Sequence, residues 1–161
     1  MPEALAEAET VKVPMAGLRF ADRPAALETL LGSCVGIAVW DTTTGLGGLA
    51  HIMLPDSCGN RENPGKFADT AVAELKVGLL RRKANVRFLK AKLAGGATMY
   101  GTRQANDIGA RNIDAAKAHL RLHGIPVVAQ HTGGTSGRLI RFFLNDGEMK
   151  IVAHRALVAV I

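Results

Sequence analysis

Two hairpin patterns constrain the fold of this chain more than any other feature. Residues 34–54 contain two apolar, β-branched runs separated by turn-forming residues at 41–45. Residues 139–153 repeat the arrangement around Asn-Asp-Gly at 145–147. Asp-Gly between alternating apolar residues is a strong local hairpin signal. The sequence therefore predicts antiparallel strand pairs in two separate parts of the chain.

Helical patterns lie between the two hairpins. Apolar residues recur at the 3.6-residue helical period over residues 67–83 and 107–123. A strand is predicted over residues 86–94, where Lys90 and Lys92 alternate with apolar residues, so one face of it should contact water. Strands, helices and two hairpins together predict an α/β (α+β) sandwich of mixed, largely antiparallel β-sheets with helices packed outside.

Length and composition indicate one globular domain. A chain of 161 residues buries roughly two thirds of its unfolded surface, enough for its own core. We expect a flexible N-terminal tail at residues 1–9 and a single domain at residues 10–161. The N-terminus shows no secretory signal, and no window approaches the roughly 20 apolar residues of a membrane span. These observations predict a cytoplasmic protein without membrane insertion, in which Cys34 and Cys58 are free thiols.

The basic residues of the chain are unevenly distributed. The formal charge is +6, and residues 76–92 hold seven lysines or arginines and no acid. One interpretation is a helix C-terminus whose dipole the cations complement. The other is a patch that attracts an acidic partner. No nucleic-acid-binding motif accompanies these charges, so a nucleic-acid partner is not expected.

Cys34 and His51 form a candidate catalytic pair. A symmetric hairpin would place them opposite each other, a shift of two in the register makes them diagonal neighbours, and a shift of one separates their faces. An imidazole beside a thiol promotes attack on a carbonyl carbon. Gly32 and Ser33 suit a tight corner, which could form a wall of the site and whose N–H groups could stabilise an oxyanion. The alternative is that Cys34 is a small core residue.

Other conspicuous residues carry weaker signals. Cys58 lies among turn formers and is expected to be an exposed bystander. His119 and His123 are four residues apart and could bridge a metal, although a surface pair near a helix end is the simpler interpretation. The glycine-rich segment at residues 133–138 is an anion-binding loop, a wall of the site or a structural turn. Asn112 is expected to brace a loop.

Six ordered segments carry a family resemblance. They are Leu31-Gly-Ser-Cys-Val35, Ala50-His-Ile-Met-Leu-Pro55, Lys66-Phe-Ala-Asp-Thr-Ala71, Ala94-Gly-Gly-Ala97, Ile108-Gly-Ala-Arg-Asn112 and Thr132-Gly-Gly-Thr-Ser-Gly-Arg138. Together they resemble the chemoreceptor glutamine deamidase family, CheD. The resemblance extends from about residue 10 to about residue 155.

The resemblance implies an activity and a set of partners. Members hydrolyse side-chain amides of glutamines on the cytoplasmic helices of chemotaxis receptors, giving glutamate and ammonia. The family's nucleophile matches Cys34 and its base matches His51. The implied fold is similar to the deamidase domain of cytotoxic necrotizing factor toxins, with no metal or organic cofactor. Members often also bind the phosphatase CheC.

The chain departs from the family at the third catalytic position. That position is a threonine a few residues before the cysteine, and some members place it six residues before, where this chain has Glu28. Thr29 is five residues before Cys34, and we expect it to orient His51, with Glu28 as the alternative. Adjacent strand residues point in opposite directions, so both cannot serve equally. Two other functions stay open: another cysteine amidohydrolase, or a non-catalytic chemotaxis regulator that binds CheC or receptor tails.

Overall fold

A computed structural model describes residues 9–99 and 107–161. These residues contain ten β-strands and two α-helices. The strands are β1 Thr10–Lys12, β2 Leu18–Ala21, β3 Ala26–Leu31, β4 Val35–Asp41, β5 Gly47–Ile52, β6 Leu89–Gly95, β7 Val127–Thr132, β8 Arg138–Phe143, β9 Met149–Ala153 and β10 Ala156–Val160. The helices are α1 Ala68–Arg81 and α2 Ile108–Leu122. Eight of the nine residues assigned to a flexible tail lie outside the described residues, and the carbonyl of Glu9 accepts a hydrogen bond from the amide of Ala26.

The strands form two five-stranded sheets. The outer sheet has the order β1-β3-β8-β9-β10, and the central sheet has the order β2-β5-β4-β6-β7. Two neighbouring pairs are parallel, β1 with β3 and β6 with β7, and the others are antiparallel. The two predicted hairpins are β4–β5 and β8–β9. The two sheets are thus mixed and largely antiparallel, as predicted.

The central sheet lies between the outer sheet and the helices. One apolar cluster joins its strands to α1 and α2, and a second fills the space between the two sheets. All seven residues of β4 are buried, because this middle strand is covered on both faces. The prediction of an α+β sandwich with helices packed outside is confirmed.

The helices begin and end close to their predicted bounds. The buried face of α1 includes Ala68, Ala71, Val72, Leu75 and Leu79, which follow the predicted period. At the start of α2, the Asp107 carboxylate accepts a hydrogen bond from the amide of Gly109 at 3.0 Å and caps the helix. Beyond its end, Gly124 adopts a left-handed conformation with φ +72°, which typically stops a helix.

The prediction that one face of the strand over residues 86–94 contacts water is wrong. The outer sheet covers that face of β6, and Lys92 is only 9% exposed. Its ammonium group donates hydrogen bonds to the carbonyls of Gly147, at 2.5 Å, and Ile161, at 2.8 Å. A lysine therefore occupies an inward position because its long side chain reaches main-chain acceptors at the edge of the sandwich.

The link between the sheets forms the corner that carries Cys34. β3 belongs to the outer sheet and β4 to the central sheet, so residues 32–34 carry the chain from one sheet to the other. Cys34 is the last residue of this crossing, immediately before Val35 begins β4. Residues 32–34 are called the nucleophile loop below, after the role expected for Cys34.

Candidate active site

The register of the β4–β5 hairpin places Cys34 and His51 as diagonal neighbours. Gly36 pairs directly with His51, and Val35 pairs with Ile52. Cys34 lies two residues before Gly36, just outside β4, and packs against the apolar cluster between the sheets, which is the side of the central sheet that His51 faces. The pairing of the two strands is therefore shifted by two residues relative to a symmetric hairpin, in which Cys34 would lie directly opposite His51. A Cβ at Gly36 would lie 2.9 Å from Cδ1 of Ile140, so a side chain there would displace Ile140.

Thr29 contacts the ring of His51. On β3, Thr29 lies between Leu27 and Leu31 on the face that points towards the central sheet, and its Oγ1 is 2.7 Å from Nδ1 of His51. Thr29 is 5% exposed and His51 is 2% exposed. Glu28 points to the opposite face of the outer sheet, where it pairs with Arg141 at 2.7 Å. Strand alternation thus places Thr29, not Glu28, against His51.

The hydrogen bonds of Thr29 define which ring nitrogen of His51 carries the proton. The Thr29 hydroxyl donates to the carbonyl of Val13 at 2.8 Å, and a carbonyl only accepts. The hydroxyl has one proton, so its oxygen must accept a hydrogen bond from Nδ1–H of His51. In neutral His51 the lone pair is then on Nε2.

Nε2 of His51 is left available for chemistry. It is buried and has no hydrogen-bond partner among residues 9–99 and 107–161, Cys34 included. An unpaired buried polar group costs about 1–3 kcal/mol of folding free energy. Such groups are uncommon in folded proteins and often mark a functional site. The Thr29–His51 pair presents a base without a bound proton at Nε2.

Burial keeps both reactive groups neutral in the resting protein. It raises the pKa of the Cys34 thiol above its ordinary 9.0. It lowers the pKa of the His51 imidazole below its ordinary 6.5. Desolvation disfavours the charged form in both cases. The arrangement therefore suits a proton transfer from thiol to imidazole when a substrate binds, without a preformed ion pair.

The nucleophile loop directs its carbonyl groups into the protein. The carbonyl of Gly32 accepts from the amide of Ala97 at 3.0 Å, and that of Cys34 accepts from the amide of Gly96 at 2.8 Å. The carbonyl of Ser33 accepts from the side chain of Asn112. Within the described residues, the N–H groups of Ser33 and Cys34 donate no hydrogen bond. These two amides are available to an oxyanion formed near Cys34.

Asn112 is a site residue to which the sequence assigned no chemistry. Its Nδ2 donates to the carbonyl of Ser33 at 3.3 Å and to the carbonyl of Met53 at 3.1 Å. Asn112 is fully buried on the inner face of α2, which also carries Ala116 and Leu120. A polar residue on this apolar helix face was the available signal, but it does not indicate which carbonyls the side chain contacts.

The glycine-rich segment at residues 133–138 is held by its own arginine. Arg138 donates to the carbonyl of His131 at 2.7 Å and also to the carbonyl of Gly133. The Nη1 that donates to the His131 carbonyl also lies 2.9 Å from Nδ1 of His131. Since these donors are used within the loop, the structure favours the structural interpretation of Arg138 over anion binding.

The basic residues at 76–92 do not form one patch beside Cys34. Lys92 is buried, and the Lys76 ammonium donates to the carbonyl of His123 at 3.1 Å. The amide of Asn85, within the stretch, donates to the carboxylate of Asp41 at the far end of β4 from Cys34. Seven strand residues at about 3.3 Å each span roughly 20 Å.

The remaining candidates lie outside this arrangement. Cys58 is an exposed free thiol in a turn. His119 belongs to the last turn of α2, and His123 follows the helix. In residues 9–99 and 107–161, no group of three or more His, Cys, Asp or Glu side chains could hold a metal ion. The helices in this part of the chain are all too short or too polar to cross a membrane.

Comparison with known proteins identifies the family. The family model described as CheD chemotactic sensory transduction matches residues 53–153, which is more than half of the chain. The chain belongs to the CheD family. The matched stretch includes α2 with Asn112 and the glycine-rich segment, and it begins two residues after His51.

Curated CheD proteins cover the rest of the site. One from Methanococcus maripaludis (strain C5), named "Probable chemoreceptor glutamine deamidase CheD", is 42% identical over 143 residues, 88% of this chain and 93% of its own length. One of the same name from Clostridium kluyveri is 45% identical over 151 residues, 90% and 93% of the two chains. The Thermotoga maritima protein, "Chemoreceptor glutamine deamidase CheD", is 43% identical over 129 residues, 80% and 82%. Matches covering 88% or more of this chain necessarily span Thr29, Cys34 and His51.

Proposed function

We propose that this CheD-family chain is a protein-glutamine deamidase that acts on chemotaxis receptors. It hydrolyses glutamine side-chain amides on the cytoplasmic regions of the receptors to glutamate and ammonia. Residues 10–161 form the deamidase domain, and the protein works in the cytoplasm, where those receptor regions lie. Support comes from the curated relatives, which are named for this activity.

One observation of the structure carries the catalytic assignment. The Thr29 hydroxyl holds His51 through Nδ1, at 2.7 Å, and leaves Nε2 buried without a partner among the described residues. Cys34 lies two residues before Gly36, the pairing partner of His51, and packs on the side of the central sheet that His51 faces. We assign Cys34 as nucleophile, His51 as general base and acid, and Thr29 as the residue that orients His51.

The first half of the reaction releases ammonia. As the glutamine amide binds, Nε2 of His51 takes the proton from the Cys34 thiol, and the sulfur attacks the amide carbonyl carbon. The N–H groups of Ser33 and Cys34 donate to the oxyanion of the tetrahedral intermediate, and Gly32 keeps the loop tight. The carbon–nitrogen bond then breaks, and the leaving nitrogen takes the proton from His51 to depart as ammonia. A thioester between Cys34 and the substrate side chain remains.

The second half of the reaction restores the enzyme. Nε2 of His51 takes a proton from water, whose oxygen attacks the thioester carbonyl carbon. The carbon–sulfur bond breaks, and the sulfur of Cys34 recovers the proton from His51. The product is the glutamate side chain. These steps use only side chains and amides of this chain together with water.

The receptor is the substrate partner under this proposal, and CheC is a second partner that the family resemblance suggests. A regulator without catalytic activity would still bind the receptor or CheC but would not need the Cys34 thiol. Substitution of Cys34 therefore separates the two functions, because Cys34→Ala abolishes turnover and preserves binding.

The test measures ammonia released from a receptor cytoplasmic fragment, together with hydroxylamine trapping of the thioester. Wild type and Cys58→Ala should release ammonia at similar rates, since Cys58 is exposed and lies outside the site. Cys34→Ala should release none and trap no adduct. Equal ammonia release by Cys34→Ala would refute the mechanism. Peptide cleavage or amine incorporation by the wild type would identify another cysteine amidohydrolase.

A further inference from the structure

Asn112 joins the two segments that carry the reactive side chains. Ser33 immediately precedes Cys34, and Met53 lies two residues after His51. The Nδ2 group of Asn112 donates to the carbonyls of both, at 3.3 Å and 3.1 Å. A single side-chain amide therefore bridges the nucleophile loop and the end of β5.

The orientation of the Asn112 amide follows from its partners. Both partners are carbonyl oxygens, which only accept hydrogen bonds, so the NH2 group must face them. Oδ1 then points away, is buried, and has no hydrogen-bond partner in the described part of the chain. The side chain keeps an unsatisfied acceptor while both of its donor bonds go to the site. The two hydrogen bonds that Nδ2 donates, rather than complete hydrogen bonding of the side chain, therefore account for an asparagine at this position.

The surroundings of Asn112 hold the rest of the nucleophile loop from the same side. The amides of Gly96 and Ala97 bind the carbonyls of Cys34 and Gly32. The start of α2 packs closely against this segment, since a Cβ at Gly109 would lie 2.6 Å from the carbonyl oxygens of Gly96 and Ala97. All three loop carbonyls are thus bound on the side of α2, which leaves the amides of Ser33 and Cys34 free.

We propose that Asn112 is a positioning residue, which fixes the nucleophile loop relative to the strand that carries His51. The inference rests on the proposed function for its role in turnover. Its effect on the thiol itself is independent of any substrate. Loss of the bridge lets the loop move relative to His51, so that the Cys34 thiol and the two free amides are no longer fixed for one substrate carbonyl.

The test compares Asn112→Asp with Asn145→Asp, which makes the same chemical change at an exposed hairpin turn. Iodoacetamide alkylation of Cys34 is followed by mass spectrometry, with Cys58 in the same molecule as the internal reference. In Asn112→Asp, a carboxylate faces two carbonyl oxygens, so we expect Cys34 to react about 10–100-fold more slowly, the usual effect of losing an outer-shell positioning group. Alkylation of Cys58 should not change, and Asn145→Asp should match wild type.

The pH dependence separates positioning from a general loss of structure. A protonated carboxyl at residue 112 regains one donor, so the ratio of variant to wild-type alkylation rates should rise as pH falls through its pKa. Turnover should show a lower kcat with an unchanged KM. If Asn112→Asp does not fold, Asn112→Ala, which adds no charge, provides the alkylation and turnover comparisons without the pH dependence.

Two results would overturn the inference. One is a folded Asn112→Asp or Asn112→Ala protein that alkylates at Cys34 and turns over as the wild type does. The other is a loss at Cys34 in Asn112→Asp that is independent of pH, which would show that the donor removed from residue 112 is not its cause. If the wild type releases no ammonia but the alkylation contrast holds, the proposed function fails and the positioning role stands.

Discussion

Replacement of Thr29 by valine removes the group that orients His51 and keeps nearly the same shape. Two buried groups lose their partner, Nδ1–H of His51 and the carbonyl of Val13. Each unpaired group costs about 1–3 kcal/mol, so the free energy of unfolding should fall by about 2–6 kcal/mol. For a domain of this size that lowers Tm by at least about 4 °C. Thr29→Ser keeps the hydroxyl and serves as the matched control.

The catalytic effect of Thr29→Val should exceed its effect on substrate binding. Without an acceptor at Nδ1, the ring of His51 is no longer held with its lone pair on Nε2. We expect kcat to fall about 10–100-fold, by analogy with histidines whose outer partner is removed in metal sites. KM should change little, and Thr29→Ser should keep most of the activity. The assay is ammonia release from a receptor fragment, at a temperature where circular dichroism shows every variant folded.

The pH profile provides a second readout for Thr29→Val. The hydroxyl oxygen accepts from Nδ1–H in both protonation states of His51 and stabilises the imidazolium more strongly. Its loss should therefore lower the pKa of His51 further, and the acidic limb of kcat/KM should move to lower pH. A folded Thr29→Val enzyme with wild-type kcat and an unmoved acidic limb would refute the assignment of Thr29.

Three further predictions follow from burial and hydrogen bonding. Because burial lowers the pKa of His51, activity of the wild type should be lost on acidification only below about pH 6.5, and an acidic limb centred above that value would show that His51 is not the base. Glu28→Gln should leave kcat nearly unchanged and lower stability by at most about 1 kcal/mol, because the partner Arg141 is exposed; a loss like that of Thr29→Val would instead assign the orienting role to Glu28. Asp41→Asn should cost about 1–3 kcal/mol at neutral pH in denaturant unfolding, since an amide cannot accept all the bonds that the carboxylate accepts, including that from Asn85. Burial raises the pKa of Asp41, but the donated hydrogen bonds outweigh burial and lower it overall, so this stabilisation is present above pH 3.8 and lost as pH falls through the folded-state pKa; a penalty that persists in acid would contradict the reasoning.

Local patterns predicted much of the fold because the features they report are themselves local. The two hairpins, both helices and the layered arrangement follow from hydrophobic periodicity and turn residues. The location of Cys34 and His51 at the same end of the β4–β5 hairpin also follows from local sequence. Sequence could not choose between a direct and a diagonal register, since that depends on where the chain leaves the outer sheet. Strand alternation restricted the choice between Glu28 and Thr29, and the sheet packing determined which of them faces His51.

The features that sequence could not predict depend on contacts between distant segments. Lys92 looked like a solvent-facing residue, because alternation does not reveal that a second sheet covers its face. Asn112 lies 79 residues from Ser33, and its two hydrogen bonds depend on how α2 docks against the nucleophile loop. The basic stretch is continuous in sequence but is divided in space, with Lys92 inside the sandwich.

Under the proposed function, Cys34 deamidates receptor glutamines. The most direct measurement incubates a receptor cytoplasmic fragment with the wild type, Cys34→Ala or Cys58→Ala and follows each glutamine-containing peptide by mass spectrometry. Specific glutamines should gain the small mass that accompanies replacement of an amide NH2 by OH. The change should occur with the wild type and Cys58→Ala and be absent with Cys34→Ala. The same glutamines converted at the same rate by folded Cys34→Ala, or none converted by the wild type, would contradict the proposed function.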